Sequence, residues 1–589
     1  MAEYNFSMGP EATADRTVFR TWAPFSSSVF LILGDGKKFE MNALDDGFWE
    51  YELEGKHIGA RYAYVLDGDG PFPDPSSRYQ PDGVHGFSQV VDTCSLKADF
   101  RSSGLDLGEM AIEEIHVGTF TGEGTFRSAE EKIPHLVETG VNAVELMPVA
   151  QFYGSRNWGY DGVYLYAPQN SYGRPEDLVH LVSEMHRSGI SVILDVVYNH
   201  LGPVGNYFSK FGPFYSERYT TPWGKAINYD GPYSDPVRNF MLENASYWLT
   251  HFGFDGLRLD AIHGIIDNSP KHILAELSEK VEKISMATGR RLLLIAESDL
   301  NDPRVVNDTK HCGYGLTAQW NDDYHHSIHT MLTGEHLGYY EDYTGAHMVL
   351  RALRNGYVYT GQYSRYLHRL RGSEWGNRSF SRLIVFSQNH DQVGNRAFGE
   401  RLSSLVDEDR LKTAAGLVLL SPFTPMLFMG EEYGETAPFL FFVDTDDAAF
   451  AAAIREGRRT EFSRFGWKQT PDPNAISTFE ASKLKWNTGG DANLRIMQYY
   501  RALIGIRRKF IIGHTENVKS SLSEEGILEI TYSSGLKVLV NTGSTETKVQ
   551  GGFRRILLDS GSNAFGGRNT EENCNVFSLK PFSLAAILL

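Results

Sequence analysis

Four short runs near the start of the chain, residues 17–23, 28–33, 48–53 and 61–66, are rich in β-branched and aromatic side chains. Gly34-Asp35-Gly36, Asp45-Asp46-Gly47 and Gly68-Asp69-Gly70 lie between them and supply turn residues. The pattern predicts a small antiparallel β-sandwich over residues 1–95, followed by Pro71-Phe72-Pro73-Asp74-Pro75 as a stiff linker. From residue 110 onward the rhythm changes. Strand candidates fall at 112–117, 143–147, 192–198, 253–263, 292–296, 316–320, 383–387 and 426–429; the third is nearly all apolar and the fourth begins so, which suits strands buried in a parallel sheet. Segments with helical spacing separate them. Ser128-Ala129-Glu130-Glu131 reads as a capping box for a helix ending at Gly140. A second helix runs from Pro175 to Gly189, with Leu178, Leu181, Val182 and Met185 on one face. Others are expected over 236–252, from Ser269-Pro270 to Gly289, and over 494–509. Eight strands alternating with helices predict an α/β fold, a (β/α)8 TIM barrel with loop insertions over residues 96–511. Short strands return at 527–532, 537–541, 555–558 and 585–589, which predicts a C-terminal β-sandwich domain over 512–589.

Composition narrows the class of function. With 74 acidic against 56 basic residues the formal charge is −18, which disfavours nucleic acid and anionic membrane and suits a neutral ligand. Cys94, Cys312 and Cys574 lie far apart and match no metal spacing or disulfide framework. Residues 1–10 show neither a basic start nor an apolar core, and no apolar run approaches the roughly 20 residues of a membrane span. These features predict a cytoplasmic enzyme without cofactor or metal.

The candidate chemistry sits where the strands end. The third strand ends Asp195-Val196-Val197-Tyr198-Asn199-His200, and the fourth Arg258-Leu259-Asp260-Ala261-Ile262-His263. The fifth ends Ala296-Glu297-Ser298-Asp299, and the seventh Gln388-Asn389-His390-Asp391-Gln392. In such a barrel the carboxyl ends of the strands form the active face. Side chains alternate along a strand, so Arg258 and Asp260 share a face and the arginine can aim the carboxylate. That pair alone fits a structural ion pair equally well. Four such tips on one rim do not, because desolvating so many carboxylates and imidazoles is costly without a function. Carboxylates converging with histidines and no thiol point to acid and nucleophile chemistry on a glycosidic bond. A hydrolytic metal site is the rival reading, and Arg258 beside Asp260 argues against it by repelling a cation.

In order, spacing and strand context the four tips resemble the conserved regions of the α-amylase family of glycoside hydrolases. The resemblance implies Asp260 as nucleophile, Glu297 as general acid/base and Asp391 as the third carboxylate. It implies that Arg258, His200 and His390 bind sugar beside the cleaved bond and that Tyr160 stacks on it, with His263, Asn389 and Gln392 completing these contacts. Asp195 and Asn199 are expected to support the rim. Three further segments resemble a trehalose-releasing subgroup: 73–86, Thr221-Pro222-Trp223-Gly224, and Trp320-Asn321-Asp322-Asp323-Tyr324-His325-His326. That likeness implies retaining hydrolysis of the α-1,4 bond next to the terminal trehalose of malto-oligosyl trehalose. Asn321, Asp322, Asp323, Tyr324 and His325 are then expected to line the trehalose side. The alternatives are a glucan branching enzyme of the same family and a non-catalytic glycan-binding protein.

Several features also fit bland readings. His325 and His329 are four apart, a spacing open to metal, but they lack a third ligand in register and are expected to form a polar rim of the cleft. Glu431-Glu432 is expected to close the rim structurally, and residues 444–447 to form a solvated loop. The aromatics between Tyr207 and Tyr233 fit loop packing and a sugar platform equally.

Overall fold

The amino-terminal strands pair as two antiparallel sheets. Gly9–Ala12, Arg16–Trp22, Phe48–Glu54 and Asn42–Ala43 form one. Lys38–Glu40, Val29–Leu33, Arg61–Leu66 and Asp69–Phe72 form the other, with Ser88–Gln89 against Arg61–Leu66. Phe19 from the first sheet meets Tyr62 from the second with ring centroids 5.0 Å apart, so the alternating apolar faces close on each other. The computed structural model describes residues 6–98, 104–463, 470–550, 553–565 and 576–589. The expectations for residues 1–5 and Cys574 lie outside them.

The expected linker is not a free spacer. Phe72 belongs to a strand, and residues 72–80 are buried. Asp74 accepts from the Tyr62 hydroxyl at 2.7 Å. Arg78, also buried, lies over the rings of Phe6, Tyr166 and Tyr247 at 4.6, 4.1 and 4.9 Å. This cation–π cage ties the sandwich to the barrel.

The barrel strands are Ile112–Ile115, Ala143–Leu146, Ser191–Val196, Gly256–Leu259, Leu293–Ala296, Ala318–Trp320, Leu383–Val385 and Thr424–Phe428. They are parallel and close by pairing the first with the eighth, Ile112 opposite Met426. Ile112, Ala143, Ile193, Ile295, Ala318, Ile384 and Met426 fill the interior as one apolar cluster. Above that apolar layer, the upper ends of the strands carry the charged side chains that face the mouth. The helices match the periodicity except at their starts. After the first strand, Thr125 rather than Ser128 caps the helix, which breaks into Phe126–Glu130 and Ile133–Thr139 at a proline in the first turn of the second piece. The helix expected from Ser269 begins at Ile273, capped by His272.

After the last long helix, Asp491–Phe510, a five-stranded antiparallel sheet follows: Lys519–Leu522, Ile527–Thr531, Leu536–Asn541, Leu584–Leu588 and Arg555–Asp559. Thr547–Gln550 pairs with Val576–Leu579 beside it. The buried Lys412 ammonium donates to Ser560 O and Phe565 O and so pins this sheet to the barrel. No helix among the described residues is long and apolar enough to cross a membrane.

Candidate active site

Arg258 organises the rim. Its side chain is fully buried and its guanidinium lies 4.2 Å over the Trp320 ring. Nη1 donates to Asp260 Oδ1 at 2.9 Å and to Asp195 Oδ2 at 2.7 Å, and Nη2 stands 3.3 Å from Glu297 Oε2. The period-two spacing of Arg258 and Asp260 thus becomes a direct bond, and one cation joins the tips of strands three, four and five. Burial pushes the Asp195 carboxyl up to about 7 although Arg258 pulls it down. Tyr160 donates its hydroxyl to Asp195 Oδ2 at 2.6 Å and stacks on His390 with centroids 5.1 Å apart. Gly159 sets that ring: its φ is +106°, and a Cβ there would lie 2.1 Å from Pro148 O.

Glu297 has a backbone partner. The N–H of Ala261 donates to its Oε2 at 2.5 Å. Ala261 holds φ 37° and ψ 55°, a left-handed conformation rare for a residue with a Cβ, which costs of order 1 kcal/mol. The strain aims the peptide after Asp260 at Glu297. Burial raises the Glu297 carboxyl well above the ordinary carboxylate range despite Arg258, with Asp260 and Asp391 adding to the rise. Asp391 opens the short helix His390–Gly394 with its side chain 38% exposed, and its Oδ1 is 3.6 Å from His390 Nε2. Burial opposes charge on His390, but Glu114 and then Asp391 outweigh it and hold the imidazolium up at about 9.

The other expected residues divide. His200 is buried, with Nδ1 3.0 Å from Asn199 Oδ1 and Nε2 3.0 Å from Tyr160 O, while His263 is exposed. Asn389 caps the helix by accepting from the Gln392 N–H, and Gln392 reaches Asp322 Oδ1 at 3.4 Å. Asp322 is half-buried at the mouth, where burial, then Asp299 and Asp391, raise it to about 7.

Its four companions are corrections to the sequence expectation. Asn321 caps the helix Asp322–Thr333 and donates to Gly356 O, so the segment is a helix and not a loop. Asp323 is wholly buried, accepting from Asn301 Nδ2, the N–H groups of Val358 and Tyr359, and the Tyr343 hydroxyl. Tyr324 is core, its hydroxyl donating to Leu417 O. His325 is buried between Ser387 O and the Tyr340 hydroxyl, and burial holds its ring neutral. His329 pairs with Glu335 at 2.8 Å beneath the rim. No group of histidines, cysteines and carboxylates among the described residues could hold a metal ion.

Sequence reasoning missed three residues here. Trp223, at the tip of the hairpin Tyr215–Thr221/Gly224–Ile227, is 44% exposed and stacks on His200 at 5.3 Å and 8°. Its signal was a tryptophan in the turn Thr221-Pro222-Trp223-Gly224; Phe208, Phe211, Phe214 and Tyr229 of the same segment are buried packing. Arg371 reaches from a second hairpin to Asp323 and the carbonyl of Asp299. Glu114 clamps His390, and its signal was a pair of adjacent carboxylates, Glu113-Glu114, inside a buried strand. Residues 444–447 are not merely solvated, since Asp444 holds Arg156 at 2.6 Å. Glu431 is structural, accepting from Ser387, Tyr500 and the Phe428 N–H.

A family model described as the alpha amylase catalytic domain matches residues 98–221, and one described as carbohydrate-binding module 48, the isoamylase N-terminal domain, matches residues 7–81. The malto-oligosyltrehalose trehalohydrolase of Saccharolobus solfataricus is 47% identical over 504 residues, covering 86% of this chain and 87% of its own. A Salmonella typhimurium crystal structure described as a candidate alpha amylase superposes with a TM-score of 0.90 at 37% identity over 100% of both chains. The 1,4-alpha-glucan branching enzyme of Geobacillus stearothermophilus is 27% identical, over 71% of this chain and 67% of its own.

Proposed function

This chain belongs to the malto-oligosyltrehalose trehalohydrolases of the α-amylase family, and on that premise we propose how the barrel mouth releases trehalose. The protein is a glycoside hydrolase acting on an α-glucan. It cleaves the α-1,4 bond next to the terminal trehalose, giving trehalose and a malto-oligosaccharide. Glu297 gives its proton to the oxygen leaving with trehalose while Asp260 attacks the anomeric carbon. The C–O bond to trehalose breaks as the bond to Asp260 forms. Water then loses a proton to Glu297, attacks the same carbon and frees Asp260, so configuration is retained. Asp391 holds hydroxyls of the ring at that carbon and favours its distorted form. Tyr160 and Trp223 offer ring faces to the sugars.

One observation carries this reading: a single guanidinium, Arg258, is ion-paired to Asp260 and in contact with a Glu297 whose carboxyl burial raises well above the ordinary carboxylate range. Two carboxyl groups in different environments on one rim supply the two roles the reaction needs. Asp322 and Gln392, with Arg371 behind them, are the proposed polar contacts for trehalose. The branching-enzyme alternative recedes, its representative sharing 27% against 47% identity. We extend the proposal to three domains over 1–95, 96–511 and 512–589, supported by the separate sheets. We extend it also to a cytoplasmic setting, which suits the exposed free thiols of Cys94 and Cys312. The test is product analysis on malto-oligosyl trehalose beside a plain malto-oligosaccharide of equal length. Free trehalose from the first and far slower turnover of the second are expected. Equal treatment of both, or α-1,6 branches built on amylose, contradicts the proposal.

A further inference from the structure

The first barrel strand carries a carboxylate that the reaction above does not use. Glu114 is fully buried, and both its oxygens are spent on one residue. Oε1 lies 2.5 Å from His390 Nδ1, and Oε2 accepts from the His390 backbone N–H at 2.8 Å. Contacts continue from the far side of the ring. His390 Nε2 lies 2.8 Å from the Tyr160 hydroxyl, that hydroxyl donates to Asp195 Oδ2 at 2.6 Å, and Asp195 receives Arg258 at 2.7 Å.

A tyrosine hydroxyl has one proton to give. If Tyr160 gives it to Asp195, His390 Nε2 must carry its own proton and donate. With Nδ1 donating to Glu114, the ring is then an imidazolium. A neutral ring with its proton on Nδ1 would instead present a bare Nε2 that competes with Asp195 for the Tyr160 proton. The direction of the whole chain therefore depends on the charge of His390, and Glu114 is the group that clamps it.

We propose that Glu114 is a positioning residue: by holding His390 doubly protonated it fixes the direction of the His390–Tyr160–Asp195 chain, and through it the seat of Arg258 between Asp260 and Glu297. The inference rests on the site reading given above. Every element packed on His390 contributes a group. Glu114 and the neighbouring Asp391 favour its charge, whereas Arg258 and the buried His116 oppose it. Glu145 on the second strand faces the same space, but burial pushes its carboxyl well above the ordinary range, and neither of its oxygens has a hydrogen-bond partner. Asp195 reaches the ring only through the Tyr160 hydroxyl and is paired with Arg258. Glu114 is thus the carboxylate in direct contact with the ring, and the balance leaves His390 at about 9.

Glu114→Gln in the full-length chain tests this. The quantity read is the ratio of variant to wild-type kcat/KM on malto-oligosyl trehalose across pH, in which the shared titration of Glu297 cancels. The ratio is expected to fall about tenfold between about pH 5 and about pH 8, because only the variant loses the second ring proton in that window. A flat ratio in a folded variant overturns the proposal however low the activity, since a merely structural defect costs the same at every pH. If the variant does not fold, the ring signals of His390 are followed by NMR in the wild-type chain, assigned by their loss in His390→Asn. A ring still charged at about pH 8 supports the proposal, and one titrating near the ordinary 6.5 overturns it. Failure of the wild-type chain to release trehalose sinks the functional reading alone, and the ring titration then decides this inference by itself.

Discussion

Glu297→Gln removes a proton from the reaction and leaves its frame standing. Oε2 is the atom that takes the Ala261 N–H at 2.5 Å and faces Arg258 Nη2 at 3.3 Å. An amide oxygen in that place keeps both contacts, and the amide nitrogen replaces the other oxygen. Because burial already disfavours the charged carboxyl, the neutral amide is a close stand-in for its protonated form. The cost therefore falls on chemistry. A positioned general acid/base contributes about 10²–10⁴-fold, or roughly 3–5 kcal/mol of barrier. The trehalose alkoxide is a poor leaving group, so the loss on malto-oligosyl trehalose is expected at the upper end of that range. Fluoride leaves α-maltosyl fluoride without needing a proton, so the first step with that substrate is expected to slow less than about tenfold. Azide needs no base either, and added azide is expected to intercept the glycosyl-enzyme as an α-glycosyl azide. The assay is stopped-flow for the first step and NMR of the azide product. Equal losses on both substrates, or a β-azide, would refute the reasoning.

Three other substitutions are informative together. Asp260→Asn keeps shape but removes the attacking charge, so turnover is expected to fall at least about 10⁴-fold with circular dichroism unchanged; near-normal turnover removes Asp260 from its role. Asp322→Ala is expected to raise the barrier for the trehalose-ended substrate by about 1–3 kcal/mol and that for the linear chain less, measured as the ratio of their kcat/KM values; an unchanged ratio contradicts it. The Asp322 carboxyl is raised by folding from 3.8 to about 7, so the wild type loses stability as pH rises through that window, and the thermal midpoint of Asp322→Ala relative to wild type should climb there and then level. A constant offset would contradict the burial argument. Asp323→Ala breaks contacts to Val358, Tyr359, Asn301 and Tyr343, and is expected to cost about 3–5 kcal/mol in thermal or urea unfolding without changing substrate preference. A stable variant with altered preference would restore Asp323 to the cleft.

The barrel was legible because parallel strands buried on both faces leave continuous apolar runs such as residues 192–194, and because the chemistry sits where those runs stop. Arg258 and Asp260 could be placed on one face because a strand has a fixed period of two. The sixth-strand segment could not be treated so. Once Asn321 caps a helix, each successive residue turns by about 100°, so Asp322 faces the mouth while Asp323, Tyr324 and His325 turn into the protein. An irregular segment would leave all of them with similar access. Likewise the exposed ring of Trp223 and the reach of Arg371 depend on hairpins whose direction no local pattern encodes. Glu114 was visible as one of two adjacent carboxylates in a buried strand, but its meaning needed His390, 276 residues away. The break after residue 130 and the late start at Ile273 are end effects, where a proline and a histidine cap override the apolar period.

The central claim is that Asp260 and Glu297 release trehalose with retention, and proton NMR of malto-oligosyl trehalose during hydrolysis tests it most directly. The account predicts that the 1,1-linked signal of free trehalose rises together with the α-anomer of the new reducing end, and that the β-anomer follows only at the rate of mutarotation. The β-anomer appearing first, or new reducing ends without free trehalose, would contradict the account.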